Sequence, residues 1–600
     1  MTVRIDPTTI VPPPSKDEVR RLRRRRGIML ALNLATLGLV AACAAWIAAA
    51  GGWTAADIIL VLCVVAITPW HAIGFWNAMA GLILLHATRA GVDRTAPFLK
   101  LGEGDAPIVV RTAILMTLRN EDPQRALSRL RAVKAELDRS GQGALFDYFV
   151  LSDTSRPDIA AAEAAEVARW RAETGGRGIV YRHRSENTGF KAGNVRDFCD
   201  RWGADYELML PLDADSLMGA SAILRMTRIM QADPRIGILQ SLVVGLPSRS
   251  AFARLFQFGM RAGMRCYTLG ATWWAGECGP FWGHNALVRI APFRAHCRLP
   301  HLPGAAPLGG HILSHDQVEA VLMRRAGYQV RVVPVESESY EENPPSIPDF
   351  LARDARWCVG NMQYVKLLRL PAAHPMGRFQ LAWAILMFAT IPALPLALLA
   401  LPFAAAQTPV DAAPAAAGLY VALMFMSLFP KIAGFLDVAL TPGMARRYGG
   451  GGRFALSAAL ELVFSFLLSA ITCLATTLLL ARLALFQARA GGDRRWDWGG
   501  QARDAHAVSW AWALRGMQAQ TLFGLLASGL CLTLAPALFP WVLPLLAGCL
   551  LAIPFAVLSA SPRLGAFLAR LGLCAIPEEQ DVPSVLAAIK APPPRPARAA

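Results

Sequence analysis

Long apolar segments at both ends of the chain constrain its fold most. A polar region at about residues 106–370 separates two such segments, at 28–50 and 57–86, from five later ones, at 379–406, 418–440, 454–486, 521–539 and 541–560. A helix of about 20 apolar residues is long enough to cross a lipid bilayer. The sequence therefore predicts an α-helical membrane protein that crosses the bilayer several times and carries an inserted polar domain.

Composition and charge support this class. Hydrophobic residues make up 54% of the chain, charged residues 17%, and the formal net charge is +17. The basic residues flank apolar segments and form no stripe with interleaved aromatics, so nucleic-acid binding is not expected. The basic run at residues 21–26 favours a cytoplasmic N-terminus, and two crossings return the polar region to the same side. The 11 cysteines form no Cys-x-x-Cys pair, which argues against a zinc site or a disulfide framework.

These patterns predict the domain organisation. We expect a disordered basic tail at residues 1–27, two transmembrane helices within 28–88, a cytosolic domain at 100–372, five to six transmembrane or interface helices within 379–561 with a cytosolic loop at 487–519, and a cytosolic tail at 562–600. Basic linkers at both ends of segment 454–486 favour the cytoplasm. That segment is either a tight hairpin or an in-plane helix with a partial span, so the count is seven or eight membrane segments.

Short apolar runs alternate with amphipathic stretches in the polar region. Residues 108–116, 147–151 and 179–182 are predicted strands, and residues 123–139 and 158–173 are predicted helices. Such alternation is typical of a doubly wound parallel sheet. In these sheets ligands bind at the carboxyl ends of the strands.

An acidic pair, Asp213 and Asp215, directly follows the apolar run at residues 208–212. Two carboxylates one residue apart can share a divalent cation, Mg²⁺ or Mn²⁺, which neutralises a diphosphate. A solvated acidic strand end is the alternative interpretation.

Other polar clusters stand where ligands of such a sheet bind. Thr117, Asn120 and Glu121 follow the first predicted strand, Asp153 ends the second, and Lys191 lies in the glycine-containing loop 187–194. Backbone N–H groups and a lysine in such a loop are suited to a diphosphate. Each cluster alone is equally consistent with a strand-to-helix turn, but together and in this order they indicate a nucleotide site.

Two further motifs follow the acidic pair. Asp316 opens an amphipathic helix, where a helix N-terminus stabilises a carboxylate; simple capping is the alternative. Arg356 and Trp357 combine a phosphate-binding guanidinium with an aromatic face suited to a sugar. A plain amphipathic helix with an interfacial tryptophan is the alternative there.

The arrangement resembles the processive membrane glycosyltransferases of family 2, which carry an early acidic nucleotide contact, Asp-x-Asp, a Thr/Ser-Glu-Asp base and Gln-x-x-Arg-Trp. This chain departs from that pattern with Ser314-His315-Asp316 and with Arg353. The departures are similar to the glucans biosynthesis glucosyltransferase H family, as are the strings Asp197-Phe198-Cys199, Gly283-His284-Asn285, Pro430-Lys431 and Ile576-Pro577-Glu578-Glu579. The resemblance extends from about residue 28 to 579 and is weakest at residues 117–120.

The resemblance implies a GT-A domain with a Rossmann-like mixed sheet in a multi-pass protein of the bacterial inner membrane. It implies transfer of glucose from UDP-glucose, with inversion, to a growing linear β-1,2-glucan, the backbone of osmoregulated periplasmic glucans, and translocation of that chain. Acyl carrier protein is an associated partner in this family. A synthase of another, cellulose-like β-glucan, or a transporter with a regulatory nucleotide-binding domain, are the alternatives.

The resemblance also assigns roles to residues. Asp316 is the expected base, and Asp213 and Asp215 are the expected ligands of Mg²⁺ or Mn²⁺. The expected nucleotide-sugar contacts are Thr117, Asn120, Glu121, Asp153, Lys191, Asp213 and Arg356. The expected acceptor contacts are Gly283, His284, Asn285 and Trp357, although His284 is equally interpreted as a core histidine. Trp498, Arg503 and Trp510 are expected in a gating loop, unless these tryptophans are interface anchors.

Overall fold

The computed structural model describes residues 15–488 and 504–590. A mixed eight-stranded sheet forms the centre of the polar domain. Its strands are β1 (Thr112–Leu118), β2 (Phe146–Ser152), β3 (Ile179–His183), β4 (Leu208–Asp213), β5 (Leu217–Met218), β6 (Ile236–Gly245), β7 (Ala286–Arg289) and β8 (Gln329–Glu341). They are arranged in the order β3-β2-β1-β4-β7-β6-β8-β5. This confirms the expected GT-A-like mixed sheet inserted between membrane helices.

The strand directions differ along the sheet. Strands β3, β2, β1 and β4 are parallel, as the alternation of strands and helices predicts. Strand β7 is antiparallel to both of its neighbours, and β5 is antiparallel to β8. The alternation of strands and helices therefore predicts only the parallel part of the mixed sheet, because these two strands are too short to give a pattern of their own. Residues 108–110 are not in a strand either; Ile108 and Val110 are buried against the domain core instead.

The helices fall into three groups along the chain. Before the domain lie α1 (Lys16–Ala50) and α2 (Ala55–His86). The domain contains α3 (Gly91–Thr95), α4 (Pro123–Arg139), α5 (Pro157–Thr174), α6 (Phe190–Arg201), α7 (Ala220–Ala232), α8 (Ala251–Ala275), α9 (Ile290–His296), α10 (Asp316–Arg325) and α11 (Ile347–Met362). After it come α12 (Pro375–Ala389), α13 (Ala393–Ala405), α14 (Ala413–Leu440), α15 (Met444–Arg447), α16 (Gly451–Ala488), α17 (Trp510–Gly516), α18 (Gln518–Leu534), α19 (Phe539–Leu550), α20 (Ala552–Ser559), α21 (Pro562–Arg570), α22 (Pro577–Gln580) and α23 (Ser584–Lys590).

Apolar side chains fill both faces of the sheet. One face packs against α4 and α7 through residues such as Leu127, Val133 and Ile223, and the other packs against α6 and α10 through Phe198 and Val318. Local signals set the helix starts. At α4, Asp122 accepts a hydrogen bond from the Arg125 N–H at 3.1 Å and Pro123 occupies the first turn, as expected for an N-terminal cap. The two layers fix the strand ends relative to the flanking helices.

The basic N-terminal segment is helical from Lys16 onwards. The expectation of a disordered tail at residues 1–27 is therefore wrong for residues 16–27. The charged side chains bind the domain: Glu18 contacts Arg331 at 2.8 Å, and Arg26 donates to the Ala275 carbonyl at 2.8 Å and to Glu277 at 3.0 Å. The Ala275 carbonyl ends α8, and a cation is stabilised at a helix C-terminus.

Among the described residues, α1, α2, α14 and α16 are long and apolar enough to cross a membrane, and three bent helix pairs bring the possible total to seven. The bends are 49° between α12 and α13, 58° between α17 and α18, and 58° between α19 and α20. Helix α16 is continuous from Gly451 to Ala488, so the hairpin alternative for segment 454–486 is wrong. Its Phe464 packs on Phe252 of α8, and its Thr476 contacts Asp354 of α11 at 3.3 Å. These contacts join α16 to the polar domain, and the in-plane alternative stays a prediction.

The C-terminal segment returns to the domain. The Ser584 hydroxyl donates to Glu136 of α4, and Val585 and Leu586 are buried in the main core. The described part of the segment at 562–600 is therefore docked and is not a free tail. Because Glu18 and Ser584 both contact the domain, these two residues lie on its side of any membrane that the apolar helices cross. An even number of crossings must then follow the domain, so at least one of the five candidates after it does not span completely.

Candidate active site

A cavity of about 800 Å³ opens at the carboxyl ends of β1, β2 and β4. Helices α8, α10 and α11 form its other walls. Ten of the residues predicted from the sequence line it: Thr117, Glu121, Asp153, Lys191, Asp213, Asp215, His284, Asp316, Arg356 and Trp357. The fold therefore brings motifs that are up to 240 positions apart in the sequence into one space.

The acidic pair lies at the end of β4 in a tight turn. The Ser216 N–H donates to the Asp213 carbonyl at 2.9 Å, and the Asp213 N–H donates to the Ser216 hydroxyl at 3.1 Å. Lys191 of α6 forms an ion pair with the Asp213 carboxylate, and the Thr117 hydroxyl donates to it at 3.3 Å. Asp215 is buried, whereas the Asp213 side chain is 33% exposed. The turn thus presents one carboxylate to the cavity beside a lysine.

The two carboxylates fit a hard divalent cation. Within residues 15–488 and 504–590, no three His, Cys, Asp or Glu side chains form a cluster that could hold a metal ion without further ligands. Mg²⁺ is commonly bound by one or two carboxylates together with substrate phosphates and water. Asp213 and Asp215 supply such a donor set, and Lys191 adds a positive charge beside it.

Glu341 is a further acid of this cavity that sequence reasoning missed. It ends β8, lies 3.5 Å from His284 Nε2, and lines the cavity beside the acidic pair. Burial raises the pKa of Glu341; His284 opposes this shift, and the charge of Asp215 adds to it. His284 Nδ1 also lies 3.4 Å from the Ser216 hydroxyl. The four glutamates at residues 336, 338, 341 and 342 were the available signal, but they are equally consistent with an exposed strand face.

Three of the expected nucleotide-sugar and acceptor contacts do not line the cavity. The Asn120 side chain accepts hydrogen bonds from the N–H groups of Ser155 and Arg156 at 3.0 and 3.1 Å. Asn285 is buried and donates to Ser339 Oγ at 2.9 Å and to the Tyr340 carbonyl at 3.1 Å. Both residues therefore stabilise the loops that carry the cavity wall. The third, Gly283, has φ +79°, a conformation that favours glycine.

Asp153 lines the cavity but is already paired. Its two carboxylate oxygens accept hydrogen bonds from Arg184 Nε and Nη2, both at 2.7 Å. The bidentate ion pair fixes the orientation of the carboxylate. Arg184 also donates to the Thr188 and Phe190 carbonyls of the loop that carries Lys191. Asp153 thus links the end of β2 to this loop.

Asp316 is the first residue of α10 and faces the cavity. The helix N-cap residue is His315, and Asp316 accepts a hydrogen bond from the Gln317 N–H at 2.9 Å. The carboxylate therefore lies in the first turn, where the helix N-terminus stabilises a negative charge. This position leaves the carboxylate at the cavity wall, as a base requires.

Helix α11 contributes the remaining wall. Arg353, Arg356 and Trp357 all line the cavity, and the Arg353 guanidinium lies 4.6 Å from the Trp357 ring centroid. The Trp357 side chain is 45% exposed. A guanidinium stacked on one side of an indole stabilises the ring orientation. Arg353, which replaces glutamine of the more general motif, therefore supports Trp357 directly.

The cavity continues from these residues to the membrane helices. Its far end is apolar and aromatic, with Ile73 and Asn77 from α2, Met260, Met264, Tyr267 and Trp274 from α8, and Phe379, Trp383 and Met387 from α12. Trp274 Nε1 donates to Asn77 Oδ1 at 2.8 Å, and the rings of Trp383 and Trp70 stack at 5.4 Å. The polar sheet edge and the membrane helices thus share one continuous space.

Of the predicted gating residues, Trp498 and Arg503 lie outside the described residues. Trp510 opens α17, is exposed, and is not part of the cavity lining. The chain that resumes at residue 504 nevertheless contacts the domain. Asp504 pairs with Arg125 at 2.6 Å, and Arg125 in turn pairs with the cavity residue Glu342 at 2.6 Å. A gating role of this loop stays a prediction.

Comparison with known proteins agrees with this arrangement. Residues 113–297 match Glycosyl transferase family 2, and residues 208–429 match Glycosyl transferase family group 2. The glucans biosynthesis glucosyltransferase H of Xanthomonas campestris pv. campestris is 37% identical over 558 residues, covering 89% of this chain and 84% of the relative. That of Caulobacter vibrioides is 37% identical over 567 residues, covering 90% and 83%.

A solved structure is also similar in part. The mannosyltransferase PcManGT from Pyrobaculum calidifontis, in complex with GDP-Man and Mn²⁺, is 19% identical and covers 62% of this chain and 99% of its own, with a TM-score of 0.37.

The fold, the site and the family match define a family 2 glycosyltransferase built into a multi-pass membrane protein. Such an enzyme transfers a sugar from a nucleotide-sugar donor to an acceptor. The extent and identity of the curated matches go further: the chain belongs to the glucans biosynthesis glucosyltransferase H family. The alternative of a transporter with a regulatory nucleotide-binding domain is therefore wrong. The expected association with acyl carrier protein has no support in these comparisons.

Proposed function

We infer that this enzyme is an inverting, processive glucosyltransferase that polymerises glucose from UDP-glucose into a linear β-1,2-glucan and translocates it across the bacterial inner membrane. The observation that carries this proposal is the single cavity that joins Asp213, Asp215, Asp316 and Trp357 and continues between α2, α8 and α12. Repeated transfer to a chain held in the membrane requires a donor site that opens directly onto a path for the acceptor, and one cavity provides space for both. Family membership supports the glucan product.

The displacement follows from the placement of the acids. The acceptor hydroxyl attacks C1 of the donor glucose from the side opposite the diphosphate, and its proton passes to the Asp316 carboxylate. The C1–O bond breaks and its electron pair leaves with UDP. One carboxylate at the attack face is sufficient, because a single displacement forms no covalent glycosyl intermediate. Inversion of an α-linked donor yields a β-linked product.

The charge on the departing diphosphate is the second requirement. Asp213 and Asp215 would hold Mg²⁺ or Mn²⁺, which as a Lewis acid stabilises the leaving group. Lys191 and Arg356 would bind diphosphate oxygens from two other sides of the cavity. Thr117, Glu121 and Asp153 line the part next to β1 and β2, where a uridine would rest. Trp357 offers its exposed face to the acceptor sugar.

The apolar end of the cavity supports translocation. Sugar rings present C–H faces to aromatic side chains, and Trp274, Phe379 and Trp383 line the passage toward the bilayer. The basic residues near Arg26 bind the domain at the start of α1. By the positive-inside rule these basic residues support a cytoplasmic position of the domain. The product chain would then leave on the opposite side.

The direct test uses the purified full-length protein with UDP-glucose and Mg²⁺, and measures UDP release and glucose incorporation. We expect activity with UDP-glucose, little with UDP-galactose or GDP-glucose, and none with Asp213→Ala. Asp158→Asn, a change on the exposed face of α5, is the matched control and should be fully active. Turnover by Asp213→Ala equal to that of the wild type would contradict the proposed site.

A further inference from the structure

His315 is a cavity residue to which the proposed reaction assigns no role. It precedes the base Asp316 at the start of α10, and its side chain is 13% exposed. The more general family motif has glutamate at this position. An imidazole here can donate a hydrogen bond beside the base, where an ionised carboxylate could only accept one. A histidine in a cavity wall can bind a ligand through either ring nitrogen.

One ring nitrogen is already committed. His315 Nδ1 lies 2.8 Å from Glu319 Oε2, one helical turn further along α10, and the Glu319 side chain is 4% exposed. Burial opposes charge on His315, but the charge of Glu319 and the hydrogen bond to it outweigh burial and raise the pKa of His315. Burial likewise raises the pKa of Glu319. The hydrogen bond fixes the ring orientation and leaves Nε2 on the ring edge away from Glu319.

The opposite edge of the imidazole lies beside the backbone of Gly283. Gly283 has φ +79°, and a Cβ atom at this position would lie 3.4 Å from His315 Cε1, 3.6 Å from His315 Nε2 and 3.4 Å from Asp316 Cβ. A Cβ atom there would be in ordinary van der Waals contact with both residues, so the glycine backbone lies directly beside them. His315 and Asp316 both line the cavity, and a ring nitrogen and a carboxylate next to each other in its wall can hold two neighbouring hydroxyl groups.

We propose that His315 Nε2 binds the acceptor hydroxyl adjacent to the attacking one, and thereby selects which hydroxyl of the terminal glucose reaches Asp316. This inference rests on the proposed glucosyltransferase function. In a β-1,2-glucan the attacking group is the 2-hydroxyl, whose free neighbour is the 3-hydroxyl. His315 would hold the 3-hydroxyl while Asp316 takes the proton of the 2-hydroxyl. Glu319 is a positioning residue, because it acts through the imidazole.

The test compares His315→Ala, His315→Gln and Glu319→Gln with the wild type in the full-length protein. UDP release, glucose incorporation, free glucose and the linkage composition of the product are measured with UDP-glucose. His315→Ala loses one hydrogen bond to the acceptor, so incorporation should fall roughly ten- to a hundredfold. The KM for UDP-glucose should stay within about twofold, since the donor contacts are intact. Free glucose from donor hydrolysis and linkages other than β-1,2 should rise.

His315→Gln keeps a hydrogen-bonding group at the cavity wall and should restore most of the incorporation and linkage fidelity. Glu319→Gln should lie between the two. Unchanged linkage and incorporation in His315→Ala would overturn the proposal, as would a loss that appears in the KM for UDP-glucose alone. If His315→Ala fails to fold in a thermal unfolding assay, the linkage composition made by Glu319→Gln decides in its place. A wild-type protein that releases no UDP would instead contradict the proposed function itself.

Discussion

Two clusters of acidic and basic side chains lie on opposite sides of α8 and differ in what surrounds them. In the cavity, Lys191 and Asp213 form an ion pair, and their side chains are 24% and 33% exposed. Behind α8, Arg261 binds Glu578 at 3.0 Å and also binds Glu336, and its side chain is only 3% exposed. The first pair can exchange partners with a ligand; the second has no room for one. Exposure to a cavity, and not the residue types, separates the site from the scaffold.

Helix α8 connects the two clusters. Met260, Met264 and Tyr267 face the cavity, whereas Arg254, Arg261 and Arg265 form ion pairs on another face of the helix. Arg254 binds Glu579 at 2.8 Å and Arg265 binds Asp437 of α14 at 2.7 Å. The string Ile576-Pro577-Glu578-Glu579 thus contributes acids that hold α8 in place. Its role is structural, and it couples the C-terminal segment to the wall of the acceptor path.

The largest expected effect is on the base. Asp316→Asn removes the proton acceptor but keeps the shape of the side chain, so the turnover number should fall about 10²- to 10⁴-fold. Thermal unfolding should be unchanged, because the residue is at the cavity wall. UDP release under saturating UDP-glucose measures the effect. An equal loss in Asp349→Asn, a carboxylate on α11 outside the cavity lining, would show that the effect is not specific to the site.

The next effect concerns the metal. Asp215→Asn should reduce turnover by roughly a hundredfold or more, since a Lewis acid at the leaving group is worth several kcal/mol. Treatment of the wild type with a chelator should cause a comparable loss, and added Mg²⁺ or Mn²⁺ should reverse it. Full activity in the presence of chelator would contradict the assignment of Asp213 and Asp215 as metal ligands.

Substitutions in the ion-pair cluster around Arg261 should affect the stability of the protein. Glu578→Ala leaves the buried Arg261 with one acid fewer, which should lower the free energy of unfolding by about 3–5 kcal/mol. Asp581→Ala, three residues further on, breaks an exposed pair with Arg447 and should cost only about 0–1 kcal/mol. Thermal unfolding of both variants in detergent tests the contrast. Equal stability of the two variants would show that the buried network does not hold α8.

The smallest expected effect is a pH dependence of the unfolding temperature, caused by the ion pair between Arg261 and Glu336. Burial opposes ionisation of Glu336, but the hydrogen bonds and charge of Arg261 outweigh it and lower the pKa of Glu336 below its ordinary 4.5. A lowered pKa of a carboxyl group stabilises the fold above the unfolded-state pKa, and this contribution is lost as the pH falls through the folded-state value. The unfolding temperature should therefore decrease below about pH 4.5. Glu336→Gln should flatten this decrease, and an unaltered slope would argue against the ion pair.

Local sequence predicted much of the site and less of its surroundings. Asp213 ends a strand, Asp316 begins a helix and Trp357 lies within an amphipathic helix, and local patterns set all three positions. Asn120 and Asn285 were misleading, because their polar side chains satisfy backbone groups of neighbouring loops, which only the tertiary fold reveals. Glu341 was missed because β8 reaches the site only through the sheet order. The antiparallel β7 and the docking of residues 584–586 likewise depend on contacts distant in sequence.

Linkage analysis of the glucan made from radiolabelled UDP-glucose by the purified full-length protein tests the central claim most directly. The cavity, its acids and the family membership predict a polymer of β-1,2-linked glucose whose synthesis ceases in Asp316→Asn. A product with β-1,4 linkages would contradict the proposed glucan and favour a cellulose-like synthase.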